Sequence, residues 1–228
     1  MPDRLRAVCF DVDGTLVQQD DDKTVWEAVH LHVHGHDEVN RERFEAFRAG
    51  QIPYEEWVAL DIGDWQRLGV RRDDLERAIR NTMRATEGAR ETVEALARRG
   101  YAVAVVSGSI DVVLSVLLDG VRFDPVFINR IDFDGSGTIR GWQATRHDVE
   151  GKARALEQVA KRLGVTVEQV AFVGDHWNDL PAMRHAGYAV AFEPKDPRLR
   201  EVADAVIEAP PMTRLLDLLP GEVPWTTR

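Results

Sequence analysis

The apolar run Ala7, Val8, Cys9 and Phe10 stops at Asp11, resumes for one residue, stops again at Asp13 and turns through Gly14 and Thr15. Apolar residues on both alternations predict a strand buried on both faces, as in a parallel sheet covered by helices on either side. Open sheets of this kind bind their ligands at the carboxyl ends of the strands, and here two carboxylates stand at such an end. Gly14 permits close backbone approach, so the N–H groups of the turn are expected to face an anion. A strand like this constrains the chain to a layered α/β fold with its chemistry on one sheet edge.

The rest of the chain supplies the matching pattern. Helices are predicted over residues 91–99 (ending at Gly100), 110–118, 152–163 and 180–186. Strands are predicted over 101–106, 126–128, 170–173, 188–192 and 205–207, with a hairpin over 131–142 that turns at 134–137. Alternating strands and helices imply a mainly parallel sheet with right-handed crossovers. Residues 24–84 read instead as several helices, with breaks at Gly35, at 50–53 and at Gly63. Gln18 to Lys23 reads as a polar linker, and residues 221–228 as a loose tail. The expected organisation is a Rossmann-like, doubly wound α/β core from residues 1–17 and 86–228, with an inserted helical domain over 18–85.

Composition narrows the function. A net charge of −10 argues against a nucleic-acid surface. No apolar run approaches the ~20 residues of a membrane span, and the first residues lack an apolar stretch of signal-peptide type. The single cysteine, Cys9, excludes an internal disulfide and reads as a small core residue. These features predict a cytoplasmic soluble enzyme without a nucleic-acid or membrane partner; a small-molecule partner and a monomer or homodimer are expected, though composition itself does not fix either.

Three strand ends carry polar groups: Asp11 with Asp13, Ser107 with Gly108, and Gly174 with Asp175. In a parallel sheet they share one edge. Lys152 at a helix start, with Asn178 and Asp179 just beyond Asp175, completes the set. Carboxylates provide oxygen ligands for a hard cation such as Mg²⁺, while hydroxyl, ammonium and N–H groups suit phosphoryl oxygens. A metal, anion donors and a carboxylate nucleophile together describe phosphoryl transfer through an aspartyl-phosphate. Singly, each residue has a plain structural explanation, as a turn former, helix N-cap or solvated lysine. Jointly, those explanations require a coincidence along one whole sheet edge.

Asp11-Val12-Asp13-Gly14-Thr15-Leu16, Ser107-Gly108, Lys152 and Gly174-Asp175-His176-Trp177-Asn178-Asp179 resemble, in order, the four motifs of the haloacid dehalogenase superfamily. Thr86-Glu87-Gly88-Ala89, Val105 to Ser109, and Asn129-Arg130 with the hairpin are similar to its phosphoserine phosphatase branch, whose helical cap also follows the first motif. The resemblance implies that Asp11 is the nucleophile and Asp13 the acid/base. It implies that Gly14, Thr15, Ser107, Gly108, Lys152 and Asn178 contact the phosphoryl group. Mg²⁺ would be held by Asp11, the Asp13 carbonyl and Asp175, with Asp179 ordering the site behind them. It also allows a phosphotransferase that passes the group to an acceptor alcohol, or a non-catalytic phosphoester-binding protein. No GxxxxGK[ST] loop points to a nucleotide-driven kinase.

The cap positions depart from that branch. The expected glutamate for a substrate ammonium is matched by Asp20, and the expected arginine for a substrate carboxylate by Asp61, with Arg48 and Arg67 as possible substitutes. Asp61 beside Trp57 and Trp65 suits a cationic or polyhydroxylated leaving group. His30, His32, His34 and His36 include i,i+4 pairs of metal-ligand spacing, but without the HExxH pattern. Residues 132–143 imitate an EF-hand loop whose twelfth position is Gln143, so a hairpin turn explains them better.

Overall fold

The computed structural model describes residues 4–19, 23–145 and 151–223. Strand β1 (Ala7–Phe10) is completely buried and lies at the centre of a seven-stranded sheet. It pairs in parallel with β4 (Ala102–Ile110) on one side and with β7 (Val170–Gly174) on the other. Outside β4 lie β5 (Val126–Phe133), which is parallel to it, and β6 (Ile139–Gln143), which is antiparallel to β5. Outside β7 lie β8 (Tyr188–Phe192) and β9 (Ala205–Ile207), both parallel. The chain therefore leaves β1 toward one edge and later returns to build the other. The point where the order reverses is the gap between β1 and β7, the position at which such sheets hold their ligands.

Alternation along β1 divides the core in two. Val8 and Phe10 join the cluster beneath α5 (Ala89–Arg98), α6 (Asp111–Leu117) and α10 (Leu215–Leu218). Ala7 and Cys9 join the cluster beneath α7 (Gly151–Leu163), α8 (Leu180–His185) and α9 (Pro197–Val202). Both faces are covered, as the doubly apolar run requires. Burial pushes the Cys9 thiol pKa up, in keeping with a packing role.

Gln18 and Gln19, expected in the linker, belong with Val17 to a strand, and residues 20–22 lie outside the described residues. This strand, β2 (Val17–Gln19), is antiparallel to β3 (Met83–Ala85), and the two-stranded ribbon carries the chain out to four helices and back. Three polar-flanked residues carry too little periodicity to be read as a strand. The helices are α1 (Val25–His34), α2 (Glu38–Arg48), α3 (Tyr54–Arg67) and α4 (Arg72–Thr82). Thr24 and Glu27 form a capping box at the start of α1, and Gly35 ends it at φ 78°. The predicted break at Gly63 does not occur. Gly63 lies inside α3, whose buried stripe Trp57, Val58, Asp61, Ile62 and Trp65 runs past it, and that packing outweighs the ~1 kcal/mol helix cost of a glycine.

The strand predicted over 126–128 continues to 133, and its hairpin with β6 turns at Asp134. The Asp134 carboxylate accepts from Ser136 N and Thr138 N at 2.8 and 3.1 Å, so the calcium-like stretch is organised as a side-chain-capped turn.

Candidate active site

Asp11 follows the last residue of β1, and its N–H donates to Val173 O of β7 at 3.0 Å, fixing it in the gap between the two strands. Lys152, in the first turn of α7, is fully buried beneath it. Its Nζ donates to Asp11 Oδ1 at 2.9 Å and to Asp179 Oδ1 at 2.6 Å. Asp179 Oδ2 accepts from the N–H groups of Asp175 and His176 at 3.0 and 3.1 Å. Both oxygens of Asp179 are thus engaged in holding Lys152 and the 175–176 turn. Asp175 accepts from Thr15 Oγ1 at 3.1 Å, and Lys195 Nζ lies 3.6 Å away. Asp13 is held by Ser109, whose Oγ donates to Oδ1 at 3.1 Å.

Asp11, Asp13, Ser107, Gly108, Asp175 and Asn178 line a cavity of about 500 Å³. Residues separated by more than 160 positions meet there because three parallel strands end on the same edge. Gly14 and Thr15, expected to touch the phosphoryl group, do not line it. The Gly14 N–H donates to Val17 O at 2.7 Å and the Thr15 N–H to Val12 O at 3.1 Å, so both amides close the turn itself. Thr15 instead orients Asp175. Gly14 sits at φ +83°, where an added Cβ would fall 2.0 Å from Asp175 Oδ2.

Electrostatics set the site apart. Burial, then repulsion from Asp179 and Asp11, holds the Asp175 carboxyl well above the usual range. Burial pushes Asp179 up to about 6, against the opposing pull of Lys152. Asp11, Asp175 and Asp179 each present an oxygen within 4.8 Å of the others. Buried oxygen donors that repel one another fit a hard metal ion. Asp179 is committed to Lys152 and two backbone N–H groups, so Asp11 and Asp175 are the carboxylates suited to holding it.

The helices α1–α4 wall the opposite side with Trp26, Phe44, Arg48 and Trp57. Trp26 Nε1 and Tyr54 OH each donate to Gly108 O at 3.1 Å, and Asn129 Nδ2 donates to the same carbonyl at 2.8 Å. The part of β4 carrying Ser107, a strand that runs on past residue 106 to Ile110, is therefore tied to both α1 and α3. Asp61, assigned above to the substrate, is not in the cavity. It is fully buried between helices, bound by Asn40 Nδ2 and Arg43 at 2.7 Å each, with His30 Nε2 at 3.3 Å. Its charge is met by Arg43, which the sequence reading did not pair with it. Arg67 pairs with Asp64 and also stands outside the cavity. Asp20 lies outside the described residues. Arg48, the other substitute named above, does line the cavity. The residues give no role to Ser109 or Trp177, which also line it; Ser109, two residues after Ser107, is the more accessible of the two from sequence.

The family model described as haloacid dehalogenase-like hydrolase matches residues 5–187. The chain belongs to the haloacid dehalogenase-like hydrolases. It is 31% identical over 220 residues to a phosphoserine phosphatase of Methanocaldococcus jannaschii, covering 95% of this chain and 98% of that protein. A phosphoserine phosphatase of Streptomyces coelicolor is 34% identical over 217 residues, covering 94% of this chain but 50% of that longer protein. A solved structure described as a phospho-aspartyl intermediate analogue of phosphoserine phosphatase has TM-score 0.71 and 28% identity, covering 95% of this chain and 99% of the other. This haloacid dehalogenase-like hydrolase falls in the phosphoserine phosphatase branch, as a phosphatase that works on a small phosphate ester through an aspartyl-phosphate. No helix among its described residues is long and apolar enough to cross a membrane.

Proposed function

We propose that this haloacid dehalogenase-like hydrolase is a Mg²⁺-dependent phosphomonoesterase whose nucleophile is Asp11. The observation that carries the reading is the buried Lys152, bridging Asp11 and Asp179 at 2.9 and 2.6 Å beneath the cavity. A carboxylate attacks a phosphate dianion only where cations offset the repulsion, and Lys152 places one at the attacking group. Asp11 and Asp175, with the Asp13 carbonyl, would hold the Mg²⁺ ion. When bound, it supplies further charge neutralisation on the phosphoryl oxygens.

An Asp11 carboxylate oxygen bonds to phosphorus as the ester P–O bond breaks, and Asp13 gives its proton to the leaving oxygen. Asp13 then takes a proton from the water that attacks phosphorus, the Asp11–phosphorus bond breaks, and inorganic phosphate leaves. Ser109 holds Asp13 in place for both transfers. Ser107, Gly108 and Asn178 bind the phosphoryl oxygens. The helices of residues 18–85 act as a cap over a core of residues 1–17 and 86–228, excluding water during transfer. Phosphoserine, named for the relatives, is the first ester to try, and a cytoplasmic location fits that chemistry.

The test is Mg²⁺-dependent phosphate release from a panel of esters, with Asp11→Asn as the blank. Turnover lost in the variant and on chelation supports the reading. Transfer to an added alcohol with little free phosphate would identify a phosphotransferase, and ligand binding without any turnover a non-catalytic protein.

A further inference from the structure

Lys152 bonds to Asp11 and Asp179, so the charge of Asp175 falls to another group. Asp175 is buried, its carboxylate accepts from the Thr15 hydroxyl, and the ammonium beside it is that of Lys195. Lys195 Nζ stands 3.6 Å from Asp175 Oδ2, too far for a hydrogen bond. The contact is one of charge, which another cation can replace without breaking a directed bond. Burial, Asp179 and Asp11 all disfavour the ionised form of Asp175, and Lys195 opposes them more strongly than Lys152 does.

The backbone fixes where this ammonium stands. Just past β8, the Glu193 N–H donates to Ile207 O at 2.7 Å and the Lys195 N–H to Asp175 O at 2.9 Å. Gln18 Nε2 donates to Glu193 Oε2 at 2.9 Å, and Asp196 caps α9 by accepting from the Arg198 N–H at 2.9 Å. Glu193 is held at φ 41°, a left-handed conformation uncommon for a residue with a side chain. Such a conformation persists where the surroundings over-determine the segment. The Lys195 side chain itself remains 30% exposed and lines the same cavity as Asp11 and Asp175, so its ammonium is free to give way.

We propose that Lys195 is a positioning residue that competes with the metal ion for Asp175, balancing this carboxylate while no metal is bound and lowering the affinity with which metal binds. Two cations beside one carboxylate repel each other, so Lys195 keeps the ion exchangeable. Without metal, the same ammonium spares the fold a buried carboxylate that nothing matches. The inference rests on the reading of Asp11 and Asp175 as metal-holding residues and goes further by naming the side chain that sets the affinity.

The experiment measures metal binding directly, with no substrate present. Mn²⁺ shares the preference of Mg²⁺ for oxygen donors, and its electron paramagnetic resonance signal separates free from bound ion. It is titrated into the unaltered protein, Lys195→Met and Lys195→Arg at pH 8.5, where protons compete least for Asp175. Lys161→Met, which removes an exposed lysine from the far end of α7, controls for net charge. Lys195→Met is expected to bind Mn²⁺ about 10-fold more tightly, the scale of repulsion between an ammonium and a divalent ion at near-bulk dielectric. It should unfold about 2–4 °C lower without metal, a gap that saturating Mn²⁺ closes. Lys195→Arg and Lys161→Met should stay within about 3-fold of the unaltered affinity. Damage to the site weakens binding, so tightening is a result that a merely structural role does not produce. Equal or weaker Mn²⁺ binding by Lys195→Met would overturn the inference, as would equal tightening by Lys161→Met; both leave the metal reading standing. An unaltered protein that binds no Mn²⁺ would overturn the metal reading and the inference with it.

Discussion

Lys152→Met tests whether the site is held by charge or by packing. Methionine fills most of the lysine stem and removes the ammonium, leaving Asp11 and Asp179 buried without the cation they share. Breaking a buried pair in this way costs about 3–5 kcal/mol, a large share of the roughly 5–15 kcal/mol that holds a domain folded. Protonation limits that cost. Asp179 already titrates near 6, raised by burial and held down by Lys152; without Lys152 it titrates higher still. A carboxyl whose folded pKa exceeds its unfolded value of about 3.9 contributes stability that is full below the unfolded pKa and lost as pH rises through the folded one. The unaltered enzyme finishes losing its share near pH 6, whereas the variant continues to lose stability above it. A further rise of about 1.5 units in the Asp179 pKa widens the gap between the two proteins by about 2 kcal/mol from pH 5.5 to 8.5. Urea unfolding at both pH values, with a chelator present, measures this. Adding Asp179→Asn should remove the extra slope and restore stability at pH 8.5, because asparagine keeps an oxygen for the two backbone N–H groups. A Lys152→Met loss that is the same at both pH values, or is made worse by Asp179→Asn at pH 8.5, would refute the electrostatic account.

Two further predictions concern the helices over the site. Burial, then His30, holds the His34 pKa below its ordinary value, so the fold favours the neutral ring. Its stabilising contribution is full above about pH 6.5 and lost as pH falls through the folded pKa; thermal unfolding should therefore worsen on acidification below 6.5, and His34→Leu should flatten that dependence. Asp61→Asn should destabilise the protein by about 1–3 kcal/mol through the weakened pair with Arg43, while leaving the ratio of rates on phosphoserine and a simple aryl phosphate unchanged. A shift in that ratio would return Asp61 to the substrate site.

What could be read from the residues was whatever the sheet places by register. Asp11 and Asp175 directly follow parallel strands and Ser107 directly follows the regularly paired part of β4, and a parallel sheet brings such positions to one edge regardless of the chain between them. Lys152 was legible because a helix start next to that edge aims its side chain inward. The amides of Gly14 and Thr15 are harder to place from sequence, because a tight turn can direct its amides outward or close them on itself, and here Val12 and Val17 take them. The helical part resisted for a different reason. Whether Asp61 faces substrate or solvent or another helix depends on how α2 crosses α3, and periodicity within one helix carries no information on that crossing. Its partner Arg43 stands 18 residues earlier, on a different helix.

That crossing also decides how selection is linked to closure. Arg48 belongs to the helical part, but Trp177, on which it stacks, belongs to the turn that follows the carboxylate Asp175. Trp26 and Tyr54 likewise reach from the helices to the carbonyl of Gly108, next to Ser107. Both ends of the cavity are therefore built across the same boundary, one where α2 meets residues 175–179 and the other where α1 and α3 meet β4. On the phosphatase reading, a leaving group that packs against the α2 end strengthens contact across that boundary and so favours the arrangement in which Trp26 and Tyr54 fix the Ser107–Gly108 segment at the other. Binding free energy from a part of the substrate that does not react is then expressed in the geometry of the part that does, and an ester with a truncated leaving group should lose kcat as well as affinity.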